Sequence, residues 1–117
     1  MSIWLLVGFG GFVGAILRYW LSDLIQSGFI IFPAGTLGVN FLGSFLLALI
    51  MYVSEYRGVF NEETRICLTI GVLGTFTTMS TFSYESFRLL EQNENMLFGL
   101  NMVGTVILTL AAVYLGK

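Results

Sequence analysis

The chain has 117 residues, of which 56% are hydrophobic and only 10% charged, with a net charge of −2. Soluble domains carry about 25% charged residues, so these charges are too few to cover a water-facing surface, and the apolar side chains must meet lipid. No histidine and a single cysteine, Cys67, exclude an intrachain disulfide, a Cys/His metal site and a histidine-dependent catalytic triad, and no basic cluster invites nucleic acid.

A membrane-crossing helix needs about 20 mainly apolar residues, and four such segments follow one another. The first covers about 3–25. It begins apolar at Ile3 with neither a basic leader nor a cleavage site, and is read as a retained span rather than a signal peptide. Gly10 and Gly14 form a GxxxG pair, continued by Gly11 and Ala15, which predicts close helix contact. These glycines are not a dinucleotide fingerprint, since Val13 stands where the third glycine belongs and no strand precedes them. Arg18 and Asp23 lie in the last third of this span. Arg18 is either held inside the bundle or snorkels to the interface.

The second segment covers about 34–53 and opens after Pro33, whose missing N–H suits a helix start. Asn40 lies near its middle. An amide at that depth either lines a polar path or bonds across helices.

The third segment covers about 65–90. Cys67, among Ile66, Leu68 and Ile70, reads as a small buried apolar residue. Past Gly71 and Gly74 comes a tract of hydroxyls at mid-span: Thr75, Thr77, Thr78, Ser80, Thr81 and Ser83. Two outcomes are open: a break whose freed carbonyls could coordinate a cation, tolerated only where it is buried or lines a cavity, or an intact helix whose hydroxyls bond back to their own carbonyls.

The fourth segment covers about 96–115. Asn101, Thr105 and Thr109 recur every fourth residue and share one face, which either lines a wet path or packs against a neighbour. Short polar linkers join the segments, and the acidic residues lie in linkers or toward span ends, Glu85 being the deepest. An even number of spans puts both termini on one side. Arg57, Arg65 and Lys117 then lie on that side against Arg18 and Arg88 on the other. So slight a bias either permits insertion in both orientations, and hence an antiparallel dimer, or is too small to orient the chain.

Asn40, the hydroxyls and Arg18 are donors, and no carboxylate lies in the middle third of any span. Donors without buried carboxylates favour an anion over a cation. Phe82 adds a ring edge, the positive part of its quadrupole. Scattered donors on an apolar wall would hold a small anion without trapping it, as conduction requires.

The same residues carry a resemblance to the Fluc (CrcB) family of fluoride channels. It rests on Gly-Gly-Phe-Val-Gly-Ala-Ile-Leu-Arg-Tyr from Gly10, Gly-Thr-Leu-Gly-Val-Asn-Phe-Leu-Gly-Ser-Phe from Gly35 and Gly-Thr-Phe-Thr-Thr-Met-Ser-Thr-Phe-Ser from Gly74. The third stretch is very specific. The fourth span matches in character alone. The resemblance implies an all-α protein of the cell membrane, with four transmembrane helices and the third broken at mid-membrane, assembled as an antiparallel dual-topology dimer with two fluoride pores. It implies a structural sodium ion at the dimer interface, held here by the backbone carbonyls of Gly74 and Thr77. It places Asn40, Phe82, Ser80, Thr81 and Arg18 on the fluoride path. Met79 stands where the family's first pore phenylalanine belongs, and methionine lacks a quadrupole edge. Either an apolar filler suffices there, or one pore is weakened, or a related subunit supplies the ring in a heterodimer. The implied mechanism is passive: fluoride that entered as the neutral acid leaves as the anion, driven by the membrane potential.

Two other readings compete. A small multidrug-resistance-type transporter shares the length, span number and dual topology, yet needs an embedded carboxylate that Ile3 to Leu17 does not contain. An accessory membrane subunit would carry polar residues that only bridge helices. An enzyme is disfavoured, because no embedded nucleophile–base pair can be assembled.

Overall fold

The computed structural model describes residues 2–58 and 60–117. In chain order these form α1 (Ile3–Gln26), α2 (Ala34–Arg57), the short α3 (Glu62–Ile66), a π-helical stretch (Cys67–Leu73), one turn of α4 (Gly74–Phe76), α5 (Ser80–Glu91) and α6 (Asn95–Gly116). No strand occurs among the described residues. Four helical stretches are long and apolar enough to cross a membrane: Ile3–Gln26, Ala34–Arg57, Glu62–Glu91 and Asn95–Gly116. The chain is thus an all-helical, four-span membrane protein, as its hydropathy implies. Large apolar side chains such as Trp4, Phe12, Trp20, Ile107 and Leu110 stay exposed on its outside, which suits contact with lipid tails.

Local chemistry explains the helix ends. The Ser2 hydroxyl accepts from the Trp4 N–H and starts α1. The α2 helix runs past the apolar stretch to Arg57, with Tyr52 and Tyr56 stacked on its last turns. It stops at Gly58, whose φ of 61° suits a residue without a side chain and whose N–H closes back on the Ser54 carbonyl. Asn61 caps α3 through the Thr64 N–H at 2.7 Å, followed by Glu62 and Glu63 in the first turn. Gln26 fastens the end of α1 to the start of α2: its amide donates to the Phe32 carbonyl at 2.8 Å and accepts from the Gly35 N–H at 2.9 Å.

The third span packs on α1 through glycine. A side-chain carbon at Gly10 would lie 2.7 Å from the Cys67 carbonyl, and one at Gly71 would lie 3.1 Å from the Gly10 Cα. At Gly14 it would collide with Thr75 Oγ1 and the Val72 carbonyl. The close approach permits hydrogen bonds across the seam, from Cys67 Sγ to the Leu6 carbonyl (3.3 Å) and from Thr75 Oγ1 toward the Gly11 carbonyl (3.2 Å). The π-helical widening falls on this seam, opposite the α1 glycines. On the other side α2 packs against α6, where buried Ala48 and Ala112 and the close contact of Gly116 with the Phe45 carbonyl bring the helices together. A small core of Val39, Leu73 and Phe76 joins α2 to the third span.

Candidate functional site

The backbone leaves helical values where the hydroxyls cluster. Thr77 is extended, with φ −91° and ψ 159°, between the single turn of α4 and the start of α5. Asn40 of α2 meets this segment at two points. Its Oδ1 accepts from the Thr78 N–H at 2.8 Å, and its Nδ2 donates to the Thr78 carbonyl at 3.0 Å. The amide thereby pairs with Thr78 as a neighbouring backbone strand would. Gly43, one turn along α2, clears the way, since a side-chain carbon there would strike the Thr77 methyl group.

Two helical hydrogen bonds are redirected as a result. In a continuous α-helix the Thr78 N–H would bond the Gly74 carbonyl, and the Thr81 N–H the Thr77 carbonyl. Here Asn40 takes the first, and Thr78 Oγ1 takes the second at 3.3 Å. Ser, Thr and Asn side chains compete with the backbone in this way. The carbonyls of Gly74 and Thr77 are left without their helical donors, beside a groove.

That groove, of about 300 Å³, runs between α2, the third span and α6 and is open on one side. Asn40, Ser44, Gly74, Thr77, Thr78 and Met79 line it, joined by Thr69, Thr105 and Thr109. None of its lining residues is acidic or basic. Most of its hydroxyl hydrogens are already committed. Thr69 donates to the Arg65 carbonyl (2.7 Å), Thr77 to the Leu73 carbonyl (3.1 Å), Thr105 to Asn101 Oδ1 (3.4 Å) and Thr109 to the Thr105 carbonyl (2.6 Å). Asn40 keeps one amide hydrogen beyond the one given to Thr78. Ser44 makes no side-chain hydrogen bond among the described residues, and the Thr78 hydroxyl accepts from Thr81 without donating. Among the described residues these three groups are the side-chain donors the groove can offer.

The other residues singled out in the sequence are divided between the groove wall and positions away from it. Met79 is 72% exposed on the groove wall, whereas Phe82 is buried in α5 behind it, at 6% exposure. Ser80 is exposed and Thr81 half-buried at the start of α5. Arg18 lines a separate polar cavity of about 200 Å³ with Tyr19, Ser22, Asp23, Gln26 and Glu85. Glu85 Oε1 is buried there without a hydrogen-bond partner among the described residues. The α6 stripe divides: Asn101 donates to Ser86 Oγ at 2.9 Å and bridges α6 to α5, while Thr105 and Thr109 face the groove. Sequence reasoning passed over two polar groove residues: Thr69, whose hydroxyl is committed, and Ser44. For Ser44 the signal was present, since it follows Asn40 by four positions and so shares its face of α2.

Residues 5–117 match the family model described as CrcB-like protein, Camphor Resistance (CrcB). The fluoride-specific ion channel FluC 1 of Methanosarcina acetivorans is 63% identical, over 97% of this chain and 86% of that protein. FluC 3 of Methanosarcina barkeri is 60% identical over the same shares of 97% and 86%. The fluoride-specific ion channel FluC of Methanococcus vannielii is 44% identical over 100% of this chain and 94% of that protein.

Proposed function

We propose that this chain, which belongs to the CrcB family, is a fluoride-selective ion channel of the cell membrane that releases fluoride passively down its electrochemical gradient. The observation that carries this reading is the groove at Asn40: an uncharged, partly apolar wall at membrane depth with a few uncommitted donors and no carboxylate. Fluoride is small and strongly hydrated, and must exchange water for donors of moderate strength. One Asn40 N–H and the Ser44 and Thr78 hydroxyls offer such an exchange without a fixed positive charge that would hold the ion. Met79 supplies a flexible apolar wall beside them. Phe82, Ser80, Thr81 and Arg18 belong to the same path by resemblance, toward the end of the bundle where Arg18 opens a second polar cavity. The relatives that match over nearly the whole chain are fluoride-specific channels, which supports the choice of ion. Conduction breaks no covalent bond, and no catalytic group is assigned.

A groove open toward lipid leaves polar groups unsatisfied, which the bilayer penalises. A second copy of the chain in antiparallel orientation would cover it, and the near-balance of Arg57, Arg65 and Lys117 against Arg18 and Arg88 supports insertion both ways. A related subunit bringing a phenylalanine opposite Met79 would serve equally in a heterodimer. The freed carbonyls of Gly74 and Thr77 fit a sodium ion in such an interface, because carbonyls of unwound membrane helices are suited to sodium. These two residues would hold the ion, which would neutralise their dipoles and fasten the subunits. A multidrug-resistance-type exporter lacks support, since the groove holds no carboxylate.

Fluoride efflux from liposomes containing the purified chain alone, followed with a fluoride electrode after adding a potassium ionophore, tests the reading. Rapid fluoride release with chloride retained is expected. Folded protein that releases no fluoride, alone or with a related subunit, overturns it in favour of an accessory role.

A further inference from the structure

We infer that the Thr78 hydroxyl and the Asn40 amide are positioning residues for the cation site, because each removes the N–H group that would otherwise close one of its carbonyl ligands. The inference rests on the channel reading above and adds a role for side chains that need not touch the cation. Thr78 acts at Thr77: its Oγ1 accepts the Thr81 N–H at 3.3 Å, which keeps that donor off the Thr77 carbonyl. Asn40 acts at Gly74: its Oδ1 accepts the Thr78 N–H at 2.8 Å, which keeps that donor off the Gly74 carbonyl.

The neighbouring threonines do the opposite. Thr75 Oγ1 lies 2.8 Å from the Gly71 carbonyl, and Thr77 Oγ1 lies 3.1 Å from the Leu73 carbonyl, each bonding back by four residues. These hydroxyls satisfy the helix, whereas Thr78 points forward and accepts. A chemically uniform tract is therefore divided by hydrogen-bond direction. Two carbonyls emerge three residues apart, on the same groove. Exposed amide carbonyls in an apolar medium carry a large desolvation cost, and a cation shared with a second copy relieves it. Asn40 also holds the spare amide hydrogen offered to fluoride. One side chain thus serves both ions, and the anion path and the cation site share a support.

Thr78→Val keeps the shape and removes the acceptor. The Thr81 N–H then returns to the Thr77 carbonyl and extends α5 backward. Thr78→Ser keeps the acceptor. Thr81→Pro removes the competing N–H altogether, and the first turn of a helix tolerates proline. Full-length protein is purified in N-methyl-D-glucamine chloride, and its thermal unfolding is followed while sodium is titrated. The parent is expected to gain stability with sodium. Thr78→Val should need at least about tenfold more sodium for half the gain, equivalent to about 1.4 kcal/mol. Thr78→Ser should stay within about threefold of the parent, and Thr78→Val/Thr81→Pro should recover most of the loss. An unshifted titration in Thr78→Val overturns the inference, as does a double variant no better than the single one. If Thr78→Val does not fold, Thr81→Pro alone decides: it should titrate like the parent, and loss of its sodium response overturns the proposal. Fluoride efflux of the parent, measured on the same preparation, separates the two readings. A conducting parent without sodium response removes the cation site and leaves the channel. A sodium response that follows the pattern above in a non-conducting parent does the reverse.

Discussion

The two sides of the third span differ in what their polar groups do. Against α1, the seam of Gly10, Gly14 and Gly71 is so close that even the Cys67 thiol finds a carbonyl to bond, and the Thr75 hydroxyl, bonded within its own helix, lies 3.2 Å from another. Toward α2, at Thr77 and Thr78, backbone N–H groups turn from carbonyls to side chains, and among the described residues one Asn40 amide hydrogen and the Ser44 and Thr78 hydroxyl hydrogens remain free. Inside a bilayer the first condition costs least, and the second persists only where something else will come to occupy it. The seam therefore reads as scaffold and the groove as the candidate site, although both are built from glycine and threonine. Composition does not distinguish them, whereas accounting for each donor and acceptor does.

The largest expected effect follows from breaking the seam. A side-chain carbon at Gly14 meets Thr75 Oγ1 and the Val72 carbonyl, and backbone cannot step aside as a flexible side chain would. Gly14→Ala should destabilise the fold by about 1–3 kcal/mol, and Gly14→Leu should leave no monodisperse protein. Gly8 lies on the same helix with nothing within 4 Å of its would-be side chain. Gly8→Ala should leave stability unchanged or raise it by up to about 1 kcal/mol, since alanine favours a helix over glycine. Thermal unfolding in detergent makes the comparison. A loss at Gly8 as large as that at Gly14 would mean that the close seam is not the cause, because helix propensity alone favours alanine at both positions.

On the groove side the expected loss is of flux rather than of fold. Asn40→Ala removes the amide hydrogen proposed to meet fluoride and also leaves the Thr78 N–H without its partner. Fluoride efflux should fall at least about 100-fold, equivalent to about 2.7 kcal/mol in barrier, while the protein still elutes as a folded species. Efflux within a few fold of the parent would take Asn40 out of the path and reduce it to a bridge between α2 and the third span.

Much of this was legible in the sequence, for a physical reason. Lipid imposes a minimum apolar length, so the four spans stand out, and a polar residue at depth is conspicuous because it is costly. Asn40 and the hydroxyl tract announce themselves in that way. Pairings do not. That Asn40 meets Thr78, 38 positions away, depends on how two helices cross, and a helical face specifies no partner. The widened turn at Cys67–Leu73 is equally hidden, since it lies where the chain meets the α1 glycines and no residue in it favours such a turn. Asn101 and Thr105 share a stripe by spacing, yet Ser86 draws Asn101 away from the groove. Ser44 escaped notice because serine is unremarkable in a membrane helix unless its hydrogen is traced.

A smaller effect separates free from committed hydroxyls within the groove. Ser44→Ala removes an uncommitted donor, and a hydrogen bond to a charged partner is worth about 1.5–3 kcal/mol. Fluoride efflux should drop about tenfold or more. Thr69→Val removes a hydroxyl already given to the Arg65 carbonyl, and efflux should stay within about threefold of the parent. The contrast collapses if Thr69→Val is the more damaging of the two, because the groove's wall would then matter more than its free donors.

The smallest effect is expected at Met79, and it bears on how the groove works. Met79 is 72% exposed on the groove wall, and a longer or flatter side chain can enter that space without disturbing the seam. If the wall serves only to exclude water, Met79→Phe should leave fluoride efflux within about threefold of the parent. An aromatic ring also brings a positive edge that methionine lacks, which favours an anion passing in its plane. An increase in rate would therefore mean that ring edges take part in dehydrating the ion. The measurement is efflux from liposomes at matched protein density, with Met79→Ala alongside. Apolar filling predicts that alanine, which opens the wall to water and to other anions, relaxes fluoride selectivity over chloride. Alanine that matches methionine in both rate and selectivity would show that this part of the groove is not on the fluoride path, and would move the path toward Ser44 and away from the exposed rim.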